Sequence, residues 1–230
     1  MTLTDLRDNW QDVPAFHQSI HEHFTTLVNA DDTLKMHRDW CDQNFHGLGE
    51  RSFGWAWKQI CESLPERPTL CEIGVLRGQI ISLWKLLRPD ANVIGITPLD
   101  SSGNVWESDY RADIARIHDE FRLGHPYILH GYSQEPEIVE EMQIALLNVL
   151  YIDGSHQYQD VVADFDNYAH LVVHGGWMVI DDACTDMKQW WGAFQGLPEV
   201  TQATLEYMSE HGDDWEFFGN CMHLRIYRRK

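Results

Sequence analysis

Three carboxylates and a histidine stand where apolar runs of this 230-residue chain stop. Residues 147–152 are apolar and end in Asp153-Gly154-Ser155-His156; residues 177–180 are apolar and end in Asp181-Asp182. Each run has the pattern of a buried strand meeting a loop. Between them Val161, Val162, Phe165, Tyr168, Ala169 and Val172 recur on one helical face, and His174-Gly175-Gly176 stops that helix. A strand–helix–strand unit in a parallel sheet brings both carboxyl ends to one edge, where open α/β sheets bind ligands. Asp153, Asp181 and Asp182 then make an all-oxygen set of the kind that selects Mg²⁺ or Ca²⁺ over zinc, with His156 beside it. The plainer alternative is helix capping, by Asp153 for the helix that follows it and by Asp181-Asp182 for the next.

The elements that must position these residues are legible along most of the chain. After a turn at 65–68, a first strand over 69–75 runs through Glu72-Ile73-Gly74-Val75-Leu76-Arg77-Gly78 into a helix over 79–87. A second strand over 93–96 closes at Thr97-Pro98-Leu99-Asp100. A helix over 109–121, a third strand over 127–130, the turn Gly131-Tyr132-Ser133-Gln134 and a helix over 135–145 follow. Residues 186–194 read as a helix, and 201–208 and 217–227 as two closing strands in an antiparallel pair. Upstream, 12–29 and 52–64 read as helices, and the glycine-bearing segment 44–51 as either a cover for a ligand or a connector. The expectation is one α/β domain over 64–230 preceded by a helical or lid-like extension over 1–63.

The turn holding Gly74 and Gly78 lies where a strand enters a helix, so free N–H groups face a ligand there. It lacks the third glycine of a dinucleotide fingerprint. Glu72 suits an amino group better than a pyrophosphate, which points to an amino-acid-derived cofactor. Elsewhere the bland readings hold. His17, His21 and His23 lie on a polar helix with no cysteine or E-x-x-H partner, so they read as a solvated face. Asp160, Asp164 and Asp166 read as solvent-facing, and Trp190-Trp191 as either an acceptor-pocket wall or core.

Seventeen basic against 36 acidic residues leave a formal charge of −19, which argues against a nucleic-acid or anionic-membrane partner. Ten tryptophans and 43% hydrophobic residues are ample for a core. Five cysteines without a C-x-x-C pair fit a reducing compartment rather than a disulfide framework. With no apolar leader and no run of membrane-spanning length, the expected location is the cytoplasm.

The chain resembles class I S-adenosylmethionine-dependent methyltransferases. It is most similar to the metal-dependent O-methyltransferases of the macrocin, mycinamicin and cephalosporin-hydroxylase-like group. The resemblance rests on the segments 72–78 and 151–156, on Gly175-Gly176 and on Ile180-Asp181-Asp182, and spans about residue 64 to the end. It implies a Rossmann-like seven-stranded, mostly parallel sheet with its last strand antiparallel and helices on both faces. It also implies S-adenosylmethionine and Mg²⁺ as cofactors, Glu72, Gly74, Gly78 and Asp153 along the methyl donor, and Asp153, Asp181 and Asp182 as metal ligands. Thr97 replaces the acid that closes the second strand in this class, leaving Asp100 as the nearest acid for the ribose. Gly131-Tyr132-Ser133 replaces a G-D-S pattern, with Tyr132 placed to stack on adenine and Ser133 or Gln134 to bond it. A cation on an acceptor hydroxyl stabilises its deprotonated form, and His156 can take the proton. The implied activity is Mg²⁺-assisted O-methylation of a small-molecule hydroxyl on a sugar or natural product. A catechol-type aromatic acceptor is the first alternative. The second, motivated by Thr97 and Tyr132, is a non-catalytic nucleoside-binding or scaffold protein. The first fifty residues are left as a lid or as the interface of a homo-oligomer.

Overall fold

The middle strands of the sheet are buried on both faces, which is why they read as continuous apolar runs rather than alternating ones. The computed structural model describes residues 2–9, 13–47, 49–99 and 109–230. Its sheet contains β1 (Thr69–Ile73), β2 (Asn92–Thr97), β3 (Tyr127–His130), β4 (Leu147–Ile152), β5 (Val172–Ile180), β6 (Trp215–Cys221) and β7 (Leu224–Arg229). They lie side by side in the order β3-β2-β1-β4-β5-β7-β6. The first five are parallel; β7 enters antiparallel between β5 and β6. This is the mostly parallel, Rossmann-like sheet with an antiparallel last strand that the sequence led us to expect.

Helices cover both faces. On one lie α1 (Leu3–Asn9), α2 (Pro14–Ala30), α3 (Asp32–Gln43), α4 (Phe53–Glu62) and α5 (Gln79–Leu87). Leu6, Phe24, Val28 and Trp57 from these helices share a single core with Leu70, Val149, Tyr151 and Val179 of the sheet. Helices α1 to α5 therefore form a packed layer directly on the sheet. After α6 (Tyr110–Glu120), the other face is built by α7 (Pro136–Met142), α8 (Tyr158–Tyr168) and α9 (Pro198–His211), which bury Ile138, Phe165 and Ala203 against Ile73, Ile152 and Ile180.

The structure corrects the sequence reading in the C-terminal third. Residues 186–194 are irregular rather than helical. Residues 201–208 lie in α9, where Pro198 in the first turn starts a helix whose Val200, Ala203 and Thr204 are buried. The segment 217–227 is the end of β6, a two-residue turn at Met222-His223 and most of β7. Strand β5 begins at Val172, upstream of the glycine pair, and its pairing with β4 shifts register there. Helix α3 was not foreseen.

Among the described residues no helix is long and apolar enough to cross a membrane. All five cysteines are free and buried.

Candidate active site at the carboxyl edge of the sheet

The parallel ladder continues one residue past the ends of three adjacent strands. The Gly74 N–H donates to the Ile96 carbonyl (2.9 Å), Asp153 N–H to that of Ile73 (2.9 Å) and Asp181 N–H to that of Ile152 (3.0 Å). These bonds align Gly74, Asp153 and Asp181 across neighbouring strands. Two residues back, Glu72 and Tyr151 are register partners, as are Tyr151 and Val179. Side chains two apart share a face, so Glu72, Tyr151, Asp153 and Asp181 all point toward the N-terminal helical layer. Asp182 then turns the chain in the left-handed region (φ 56°), and its N–H donates to Asp181 Oδ1 (3.0 Å). Gly196 makes this turn possible: a Cβ there would lie 2.1 Å from the Asp182 carbonyl oxygen.

Tyr151 Oη lies 3.1 Å from Asp153 Oδ2 and 3.0 Å from Asp181 Oδ2. A phenol has one proton, so it donates to one carboxylate at a time. The ring is held edge-to-face by Trp57 at 5.0 Å and Trp84 at 6.3 Å. The carboxyl of Asp153, enclosed although the residue keeps some exposed surface, is pushed well above the usual range, first by burial and then by the charges of Asp181, Glu72 and Asp182. Burial and the Asp181 charge push Asp182 up to about 6. Glu72 is 3% exposed, accepts from the backbone of Ile81 in the first turn of α5, leaves Oε2 unpartnered and is pushed up to about 8 by burial. Crowded carboxylates, with the Asp181 charge raising the pKa of Glu72, Asp153 and Asp182, are the environment a hard divalent cation relieves, so the donor set fits such an ion.

Two histidines flank the acids. His156, about half exposed, places Nε2 3.3 Å from Asp182 Oδ2. His223, in the β6–β7 turn, places Nε2 3.5 Å from Asp181 Oδ1 and 3.9 Å from Asp182 Oδ1. Asp181, Asp182 and His223 form a group whose ligand atoms lie within 4.8 Å of one another. His223 was missed because the sequence reads as strand across it. A polar residue within an apolar run was the available signal.

The glycine loop is tighter than its sequence suggests. A Cβ on Gly74 (φ 94°) would lie 1.9 Å from the Asp153 carbonyl oxygen and 2.5 Å from Gly154 Cα, so Gly74 lets the loops after β1 and β4 touch. Gly78 caps α5 in the left-handed region. Thr97 is buried at the end of β2, and its Oγ1 accepts from the Leu99 N–H (3.3 Å). Asp100 lies outside the described residues. Tyr132 is half exposed after β3.

Ser133 and Gln134 both donate to Asp164 Oδ1, at 2.5 and 3.1 Å. Asp164 is buried, not solvent-facing, and burial pushes it up to about 7. It stands three residues from Val161 and four from Tyr168, on the buried stripe of α8. His17 is likewise buried rather than solvated, and His21 Nδ1 pairs with Ser52 Oγ at 3.0 Å while its ring meets Trp190 at 5.4 Å. In the segment 44–51, His46 is buried and bonds the Asp113 carbonyl at 2.8 Å, and Arg77 ties the Phe45 carbonyl to Asp113. Trp190 packs against the core, whereas Trp191 is 99% exposed.

Residues 71–183, which run from β1 to just past Asp182, match a family model described as a methyltransferase domain. Those residues are just under half of the chain, and they hold Gly74, Gly78, Asp153, His156, Asp181 and Asp182. A curated relative, an uncharacterized protein of Acanthamoeba polyphaga mimivirus, is 32% identical over 118 residues, 50% of this chain and 51% of the relative. The chain thus spans about half the length of the curated relative it matches. Among solved structures, a Staphylococcus aureus protein proposed to be a caffeoyl-CoA O-methyltransferase superposes with a TM-score of 0.63 at 14% identity, over 94% of this chain and 99% of that one. The TDP-rhamnose 3'-O-methyltransferase of calicheamicin biosynthesis gives 0.58 at 14% identity, over 97% and 98%. These two similarities establish the shared fold.

Proposed function

We propose that this protein is an S-adenosylmethionine-dependent O-methyltransferase that works with a divalent cation on a hydroxyl of a small molecule. The observation that carries the proposal is the alignment of Gly74, Asp153 and Asp181 across one sheet edge within a methyltransferase domain. When bound, S-adenosylmethionine supplies an electrophilic methyl group and a divalent cation at the acids makes an acceptor hydroxyl easier to deprotonate.

The remaining work falls to the chain's own residues. Asp153, Asp181 and Asp182 hold the cation. Glu72, enclosed at the start of α5 beside the glycine turn, receives the amino end of the methyl donor, with Gly74, Gly78 and Asp153 along it. Thr97, Asp100, Tyr132 and Ser133 remain the candidates for its ribose and adenine. His156 Nε2 takes the acceptor proton, and Asp182 at 3.3 Å steadies the imidazolium that forms. The half-buried position of His156 leaves its ring open to an incoming hydroxyl.

The similarity to a sugar O-methyltransferase favours a sugar or glycosylated acceptor. A flat aromatic acceptor is the second reading, favoured by Phe194, half exposed and 4.9 Å from the His223 ring, and by exposed Trp191. Incubation with methyl-labelled cofactor and both acceptor classes, with and without EDTA, tests the proposal. Transfer abolished by chelation and restored by added cation supports it; transfer indifferent to EDTA rejects the role of the metal, and no transfer to any hydroxyl rejects the activity.

A further inference from the structure

The three acids are an oxygen-only set, but the structure adds His223, and its placement is not that of an ion-pair partner. A protonated imidazole donating to a carboxylate sits about 2.7–2.9 Å from it. His223 Nε2 stops at 3.5 Å from Asp181 and 3.9 Å from Asp182. Ligands about 2.1 Å from a shared ion lie about 3.0–3.4 Å apart when adjacent and about 4.2 Å apart when opposite. The observed spacings fall between these two values, leaving room for an ion among the three side chains.

The ring is also held in place for that role. It is 7% exposed, and its Nδ1 is buried without a hydrogen-bond partner. Phe53 of α4 and Phe194 meet it edge-to-face from two directions, each at 4.9 Å. Its backbone carbonyl accepts from the Ala183 N–H at 3.1 Å, one residue beyond Asp182. The turn itself is a two-residue hairpin with Met222 at φ 55°, and Asn220 and Gln189 both donate to the Met222 carbonyl. An imidazole clamped by packing, with one nitrogen directed at two carboxylates, is a preformed nitrogen donor.

We propose that His223 is a metal ligand, joining Asp181 and Asp182 in a mixed nitrogen–oxygen site selective for a divalent first-row transition ion such as Mn²⁺ over Mg²⁺. Magnesium takes oxygen ligands and sheds water reluctantly, whereas imidazole suits transition ions. This inference rests on the metal role of the acids proposed above and changes the identity of the ion they hold.

The test is pulsed electron paramagnetic resonance of the full-length protein loaded with Mn²⁺, alongside calorimetric titration with Mn²⁺ and Mg²⁺. The wild type should show modulation from a directly coordinated imidazole nitrogen and bind Mn²⁺ at least about tenfold more tightly than Mg²⁺. His223→Asn should lose the nitrogen signal and bring the two affinities close together, while His156→Ala should keep both. A wild-type spectrum without coordinated nitrogen overturns the proposal, with no variant needed. So does a nitrogen signal that survives in His223→Asn or vanishes in His156→Ala, and so does equal affinity for the two ions. Calorimetry with S-adenosylhomocysteine separates the two readings. Cofactor binding with an oxygen-only metal site defeats the ligand assignment alone; a nitrogen-ligated metal without cofactor binding defeats the methyl-transfer reading alone.

Discussion

Two sets of buried acid lie on either side of the loop that follows β4, and the protein treats them differently. On one side Asp164 is enclosed by α8 and the loop after β3, with neutral donors from Ser133 and Gln134 and a single acidic neighbour, Asp160. On the other side Glu72, Asp153, Asp181 and Asp182 face one another, with Tyr151 as a shared neutral donor and His156 and His223 at the margin. Asp164 is accommodated by two hydrogen bonds to Oδ1 and, below its raised pKa, by a proton, with its buried Oδ2 left without a partner. The second set gathers more negative charge than its donors can satisfy. The contrast separates a carboxylate that belongs to the architecture from carboxylates that, on the function proposed above, hold a cation.

The sharpest way to break the comparison is to remove one acid from each side. Asp181→Ala should reduce methyl transfer by about a hundredfold or more and make the residue insensitive to EDTA. Asp164→Asn should keep its response to the chelator. Transfer assays on both variants decide whether the two sides differ as described. In the next test, saturating divalent cation at about 100 times its Kd should add about 2.7 kcal/mol of stability, or about 5–10 °C in Tm. Thermal melts should show this rise for wild type and Asp164→Asn, and lose it in Asp181→Ala. Gly74→Ala should cost about 2 kcal/mol or more, because its Cβ would strike the Asp153 backbone at a positive φ. Chemical denaturation measures that loss, and weaker cation binding in the same variant would show that the two loops move together.

A smaller effect concerns protons. The folded-state pKa of Asp164 is raised to about 7, above the unfolded value. The folded protein therefore binds more protons than the unfolded chain between those two values, and this residue's contribution to stability falls as pH rises through about 7. Asp164→Asn should flatten the decline of Tm between about pH 4 and pH 7; an unchanged slope would show that Asp164 titrates normally. Smallest of all, Tyr151→Phe should change stability by about 1 kcal/mol, the net worth of one hydrogen bond.

Much of this contrast can be read from the sequence, because a strand that ends in an acid announces both its period and its edge. Strand β3 at 127–130, helix α5 at 79–87, strand β4 at 147–152 and the strand ends carrying Asp153, Asp181 and Asp182 lie where their patterns place them. Misreadings arise where local pattern and tertiary setting conflict. Thr201, Thr204 and Tyr207 have strand-like side chains, yet a proline start and packing against α8 make that segment helical. The hairpin turn at Met222-His223 contains no glycine, asparagine or proline to mark it, so two strands look like one and the histidine between them vanishes into an apolar run. Asp164 was legible: its spacing from Val161 and Tyr168 puts it on the inner stripe, and only the habit of assigning acids to solvent hides it.

The clasp around His223 has a consequence for how the protein comes into being. Phe53, Asp153, Asp181 and His223 are strung across most of the chain, and they meet only when β7 has slid in beside β5 and α4 has closed over the turn. Contacts of such long sequence separation carry the loop-closure entropy of the intervening chain. The candidate site is thus assembled from segments that only the complete sheet and its helical cover bring together. A lesion in the first helices or the final hairpin can silence it without touching a single reacting group.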